Sequence, residues 1–442
     1  MSLTLLKTIA RWGGFACVAL LIGFGVKPEG AAAQSFDVSG FVKSSHYYDT
    51  RQVVTARDID FLLYPTPDGN PDADDPSDRD NLSSFLLFSR LGLNVSDFDQ
   101  QVLGADVRAY MEADFFGPGV FTSGTTRTGQ ENFFRLRRGF AEMKWDNREV
   151  MFGLEWTPLF TLDAFPHTVA TEAGAPFNPL SRQPMVKLTL KPTDNLRLIG
   201  ITAWQFDAFV DAPLANAPEG SNPLGGIDAQ QQSALPGLHG HLQYDNGTVL
   251  LGVGGYLESL RPFPMGDRFF SGAGTAYGTY TSSNFIARGK VTYGDVRDHV
   301  SVGGYIYDPA TAGSEFGAAD AFKQINTLST WVEFEKPGTV SPGLFAGYLT
   351  NLGVSDALDS DSPSDVAWAT RSHSPTGQSI ASVWEVAPRL ALNYGPMRFA
   401  FEVQVTTAQY TTRLDENFAP DPLDSEEAVT NVRGDFTVFL FF

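Results

Sequence analysis

The 442-residue chain predicts an all-β fold, a 16-stranded antiparallel transmembrane β-barrel with short turns at one end and long loops at the other. Three observations predict it. Segments of about ten to fifteen residues alternate polar and apolar side chains with period two, the mark of a strand whose two faces meet different surroundings. Tight-turn signals and long polar loops separate these segments in alternation. The excess of acid sits almost wholly in the long loops, which leaves the strands close to neutral.

Composition narrows the choices. Hydrophobic types make up 43% of the chain, charged types 19% and aromatics 13%, and 51 acids against 31 bases give a formal charge of −20. After the first 30 residues there is no apolar run of the roughly 20 residues that a membrane helix needs. The acidity speaks against nucleic acid as a partner, since phosphate binding requires a basic face. Phe occurs 35 times, more aromatic surface than a soluble acidic protein has use for.

The N-terminus reads as a secretory signal over residues 1–33, followed by the barrel over 34–442. Lys7 and Arg11 form its basic start, Phe15–Val26 is an apolar stretch too short to anchor a chain in a bilayer, and Ala31-Ala32-Ala33 fits a small-residue cleavage site. Cys17, the only cysteine, lies inside that apolar stretch. The processed chain therefore has neither a disulfide framework nor a thiolate metal site. A large exported chain without disulfides leans toward a bacterial envelope protein.

The strand pattern is clearest over Leu103–Phe116. Leu103, Ala105, Val107, Ala109, Met111, Ala113 and Phe115 point one way, and Asp106, Arg108, Tyr110, Glu112 and Asp114 the other. The last strand repeats it, with Val432, Phe436, Val438, Leu440 and Phe442 opposite Asn431, Arg433, Asp435 and Thr437. An aromatic C-terminus on an alternating strand resembles the signature that engages the barrel-assembly machinery, with Phe442 as the contact.

Tight turns are expected near 97–100, 146–148, 192–195, 245–247, 294–298, 337–343 and 395–396, with Asp245-Asn246-Gly247 and Gly395-Pro396 the strongest signals. Long loops are expected at 49–81, 117–131, 158–184, 207–237, 262–283, 308–325, 351–378 and 411–429. Eight loops and seven turns join sixteen strands and place both termini on the short-turn side, which is periplasmic in outer-membrane barrels. Lipid offers no hydrogen bonds, so such a sheet must close. A cylinder of this size encloses more space than its side chains fill, and water is expected to occupy it.

The eight loops hold 30 acids and 9 bases, against 20 acids and 19 bases in the remainder of the processed chain. The first loop, with Asp58, Asp60, Asp68, Asp72, Asp74, Asp75, Asp78 and Asp80, reads mainly as a solvated tip. An acidic mouth could also gather cations that bridge lipopolysaccharide. A charge facing lipid costs roughly 2–4 kcal/mol at mid-membrane. Arg108, Glu112, Asp114, Glu155, Lys187, Arg288, Lys290, Glu385, Arg389, Glu402 and Arg433 are therefore expected to face a wet lumen. One strand resists this rule. In Phe133–Trp145, Arg135 and Arg137 share a face and Arg138 falls on the other, so a bulge near Arg137-Arg138 or a subunit interface must resolve the conflict.

Several segments together resemble the DcaP-type trimeric outer-membrane porins. They are Gly40-Phe-Val-Lys-Ser, Ser89-Arg-Leu-Gly-Leu, Tyr110-Met-Glu-Ala-Asp-Phe-Phe-Gly117, Arg135-Leu-Arg-Arg-Gly-Phe, Phe152-Gly-Leu-Glu-Trp-Thr-Pro-Leu-Phe160 and Arg182-Gln-Pro. The likeness covers about residues 36–191; beyond it only the barrel texture and the final Phe match. The resemblance implies a homotrimer, a third loop (158–184, with Asp163, His167 and Glu172) folded into the lumen, and Arg135 and Arg137 lining a constriction. It also favours the bulge. Glu155-Trp-Thr replaces the family's Gln-x-Trp-Ser, which adds a carboxylate and bears on anion preference.

No nucleophile elbow, zincin helix or phosphate loop occurs, and no catalytic residue, metal or cofactor is expected. His239 and His241 share a strand face and read as two polar lumen residues rather than half of a metal site. The expectation is a passive porin in the bacterial outer membrane, set in lipid and lipopolysaccharide, that passes small hydrophilic solutes. Alternatives are a channel selective for dicarboxylates, phosphate or sugars, and a barrel with adhesive or enzymatic loops. The constriction is expected to set a basic wall of Arg108, Arg135, Arg137, Lys187, Arg389 and Arg433 against Glu112, Asp114 and Asp163.

Overall fold

Alternation with period two gives each strand one apolar and one polar face, and the structure shows these strands closed into one cylinder. The computed structural model describes residues 34–442 except 57–60, 69–73, 117–118, 122–126, 133, 205–213, 299, 374–377 and 422–426. The expected leader with Cys17, and Asp58, Asp60, Asp72, Asp424 and Glu426 of the acidic loops, lie outside the described residues.

Sixteen antiparallel strands form the wall. They are β1 (Ser35–Asp49), β2 in two stretches (Asn81–Phe85 and Arg90–Ser96), β3 (Asp106–Asp114), β4 (Arg135–Trp145), β5 (Arg148–Trp156), β6 (Arg182–Thr193), β7 (Leu196–Ala203) and β8 (Gly237–Asp245). The second half comprises β9 (Val249–Leu260), β10 (Phe269–Thr281), β11 (Ile286–Gly294), β12 (Phe322–Glu335), β13 (Val340–Gly353), β14 (Ser379–Tyr394), β15 (Met397–Thr411) and β16 (Glu427–Phe441). Each strand pairs with its neighbours in sequence. Closure comes from β1, which pairs with β2 on one side and, from Phe41↔Phe441 to Asp49↔Arg433, with β16 on the other. No edge is left for lipid to face.

The two faces behave as their composition requires. On β16, Asn431, Arg433, Asp435 and Thr437 are fully buried inside, while Phe436 and Leu440 are exposed outside. On β8, His239, His241 and Gln243 are buried, and Leu238, Leu242 and Tyr244 point outward. The lipid-facing wall thus accounts for much of the aromatic and aliphatic surplus.

One stretch departs from the expected layout. The predicted loop 262–283 contains β10, so the true loop is only 261–268, and the short turn falls at 282–285 rather than 294–298. The segment that follows Gly294 belongs to a long loop, 295–321, on the opposite rim. The cause is visible in β10, where Gly272, Gly274 and Gly278 stand on the outward face and erase the apolar half of the alternation. Glycine has no side chain to register in such a pattern.

The interior is not open throughout, because part of the chain folds into it. The segment between β5 and β6 (157–181) crosses the lumen, and the wall grips its backbone. Lys290 on β11 donates to the carbonyls of Leu159 and Phe160, both at 2.7 Å, and to Asn178 at 2.8 Å. Glu402 on β15 accepts from the amides of Val169 and Ala170, each at 3.1 Å. Glu333 on β12 accepts from the His167 amide at 3.1 Å. The start of the 295–321 loop joins it, where Asp298 accepts from Leu180 N at 2.5 Å.

Behind this segment lies a dry core. Phe177, Leu180, Val300 and Val302 pack on Trp331, Phe345, Leu349, Val383 and Ala387 from the inner faces of β12, β13 and β14. Gly347 is what lets Phe177 in, since a Cβ there would overlap the ring. The first loop contributes as well. Its short hairpin, Val53–Thr55 with Leu62–Pro65, buries Leu62, Leu63 and Tyr64, although Asp78 and Asp80 are exposed as a solvated tip requires.

Candidate pore constriction

The conflict among Arg135, Arg137 and Arg138 is settled by a bulge. In the β3–β4 ladder Glu112 pairs with Arg138 and Ala113 with Leu136, so Arg137 is an extra residue with no partner position. The bulge turns all three guanidinium groups inward and leaves Leu136 exposed outside.

Each of the three then meets a carboxylate. Arg135 forms two bonds to Asp114, at 3.0 and 2.8 Å. Arg137, which is 1% exposed, reaches Glu112 at 2.8 Å and Asp114 at 2.6 Å. Arg138 makes a two-bond contact with Glu155 at 2.7 and 2.6 Å. Arg90 on β2 approaches Glu112 at 3.5 Å. Four arginines thus interlock with three carboxylates. Glu155 serves as a counterion to Arg138.

This corrects the expected layout. Glu112 and Asp114 do not stand across the lumen from Arg135 and Arg137; they lie on the adjacent strand and bond to them directly. These lumen ions are also buried and paired, because segment 157–181 and the aromatic rings cover them. Charge-assisted bonds with matched partners make such burial tolerable.

Only these four of the predicted residues come together. Arg108 lies lower on β3 and pairs with Glu142 at 3.2 Å. Arg389 sits on the far wall against Glu333 and Glu335. Arg433 bonds Asp49 twice at 2.9 Å beside the closing seam. Asp163 is half-exposed on the crossing segment and takes a 3.0 Å bond from Gln243, with Arg197 at 3.8 Å. Lys187 is half-buried on β6 with no ion-pair partner among the described residues.

The sequence reading missed Lys43, Arg90, Arg138, Arg182 and Arg398 as a group. These five, with Arg135 and Arg137, line a cavity of about 480 Å³ between segment 157–181 and the wall. Glu112 is the one carboxylate in its lining among the described residues, and His167 also reaches it. Aromatic rings alternate with the cations. Arg137 lies 4.7 Å from the Phe88 ring and 5.4 Å from Trp156, Arg182 lies 4.8 Å from Trp156, and Arg90 lies 4.7 Å from Phe88 and 5.1 Å from Phe41. Such stacking fixes the long side chains and keeps their charge. A signal did exist, since Lys43, Arg90, Arg138 and Arg182 each fall within one of the six sequence strings quoted above. His239 is stacked on Tyr256, and His241 lies tilted against Tyr277. No cluster of three or more potential metal ligands occurs among the described residues.

Comparison with solved structures defines the class. The chain is similar to the outer membrane channel DcaP of Acinetobacter baumannii, with a TM-score of 0.63 and 13% identity over 95% of this chain and all of that one. It is also similar to an anion-selective porin from Comamonas acidovorans (TM-score 0.52, 10% identity, 93% of this chain and all of that one). OmpT of the Vibrio cholerae outer membrane gives a TM-score of 0.50 with 10% identity over 94% of this chain and all of that one. No family model and no curated protein matches the chain. The chain has the porin fold, and at these identities the likeness establishes the architecture alone.

Proposed function

We propose that this chain is an outer-membrane porin of the DcaP type, that it passes small hydrophilic solutes by passive diffusion, and that it prefers anions. The observation that carries this reading is the cavity in which seven basic side chains and one carboxylate line the space between the crossing segment and the wall. Fixed positive charge in a narrow low-dielectric passage concentrates anions and repels cations. Segment 157–181 acts as the constriction. Glu112, Asp114 and Glu155 hold the arginines rigid rather than oppose them across the path. The trimer implied by the resemblance, and contact with lipopolysaccharide at the acidic rim, belong to the same reading.

Planar-bilayer recording of the purified, folded chain tests it. Ohmic conductance with an anion-directed reversal potential in a salt gradient is expected, and a cation-directed potential overturns the preference. A narrower reading, selectivity for dicarboxylates, is favoured by the alternation of guanidinium groups with rings along the cavity, which suits solutes carrying charge at two points. Saturable block of the current by a dicarboxylate such as succinate, without block by chloride, supports the narrower reading.

A further inference from the structure

The crossing segment meets the wall at a joint the sieve does not use. Glu172, on the segment, is 1% exposed, and its Oε2 has no hydrogen-bond partner among the described residues. Its Oε1 accepts from Gln404 Nε2 on β15. The same amide nitrogen reaches Glu385 Oε1 on β14 at 3.5 Å, and Glu385 is 2% exposed. One amide nitrogen thus serves both buried carboxylates, and Glu385 takes a further bond from the Thr406 hydroxyl at 2.8 Å. Arg433 on β16 is the cation that offsets both in part, though two of its nitrogens are bonded to Asp49. Glu402 on β15 and Asp435 on β16 are further buried acids of the inner wall. Lys43 on β1 is spent on the Val169 carbonyl and the Thr171 hydroxyl.

We propose that Glu172 and Glu385 form a proton-sharing joint, by which the crossing segment stays seated on β14 and β15 while the pair holds a proton and lifts as the pair loses it. Two ionised carboxylates bound to one amide repel each other, and a proton held on the pair removes that repulsion. Burial, and then the Glu385 charge, push the Glu172 carboxyl well above its ordinary range. A carboxyl raised in the seated state gives stability to that state below the ordinary carboxylate value, and loses it as pH climbs through the raised value. Release is thus expected on the alkaline side.

The joint is a device of the channel proposed above, but its test needs no current, so the two readings fail separately. Ala170, 3% exposed and two residues before Glu172, is replaced by cysteine in a Cys17→Ser background. Labelling by a charged maleimide is timed at about pH 6 and about pH 9, with and without Glu172→Gln, in protein checked for heat-modifiable migration. The thiol is the same in both backgrounds, so its own ionisation cancels in the ratio of rates. The ratio of the Glu172 protein to the Glu172→Gln protein should rise about tenfold toward the higher pH, and Glu385→Gln should abolish the rise as Glu172→Gln does. A flat ratio overturns the proposal. So does a rise that persists in Glu385→Gln, since Glu172 would then act without its partner.

Discussion

Arg137 concentrates the energetics of the constriction in one side chain. It is almost wholly buried, bonds two carboxylates on β3 and lies against two rings. Arg137→Ala would strand Glu112 and Asp114 with weakened compensation. Breaking a buried pair from one side costs about 3–5 kcal/mol, so the denaturant midpoint of the folded protein in vesicles should fall measurably. The same variant should shift the reversal potential toward cations, and an unchanged potential would remove Arg137 from the conduction path. Arg137→Lys keeps the charge but cannot span both carboxylates with one planar group, so it should retain selectivity better than stability. The inward direction of Glu112 and Asp114 could be read from alternation, whereas that of Arg137 needed the bulge as well. Their pairing could not, because sequence spacing says nothing of which strand lies beside which rotamer.

At the scale of elements, the bulge on β4 was legible because three arginines in four positions cannot all avoid lipid on a regular strand. Two deletions separate its role. Removing Arg137 restores a regular ladder with Arg135 and Arg138 still inward, and should leave folding into vesicles close to normal apart from the loss of that arginine's bonds. Removing Leu136 also makes the ladder regular but leaves an arginine on the lipid face, at roughly 2–4 kcal/mol, so folding yield should drop. Equal yields would show that the bulge has another cause. β10 was illegible for the opposite reason, since its outward glycines carry no pattern.

Loops hide their structure more thoroughly still. Asp308 gathers bonds from Ala310 N, Asp359 N, the Thr311 hydroxyl and the Ser360 hydroxyl, and so ties loop 295–321 to loop 354–378. Burial alone would raise its carboxyl, but the bonds, led by Ser360, hold it below the ordinary carboxylate range. A depressed carboxyl gives stability above its unfolded value and loses it as pH falls through the folded one. Limited proteolysis of loop 354–378 should therefore quicken in acid. Asp308→Ala should give a similar gain at neutral pH, about tenfold if the clamp is worth ~1.4 kcal/mol. No difference in cleavage would refute the clamp.

For the molecule as a whole, closure was the most legible property, because it rests on many weakly patterned strands agreeing rather than on any one. The content of the cylinder was the least legible, because Phe177 reaches Gly347 from 170 positions away in the chain. The proposed anion preference follows from summed charge and should weaken with screening. The Debye length falls from about 10 Å at 0.1 M salt to about 3 Å at 1 M. The anion preference, read as reversal potential for a fixed salt ratio, should shrink across that range, and constancy would point to selection by size instead.

The packing of Phe177 against the β12–β14 wall fills that flank of the barrel. Side chains share the enclosed space with any passage, so the number of staves in the cask does not set its bore. Two barrels of equal girth could differ widely in throughput, and alterations to the filled flank would be felt as changes in sturdiness long before they were felt as changes in flow.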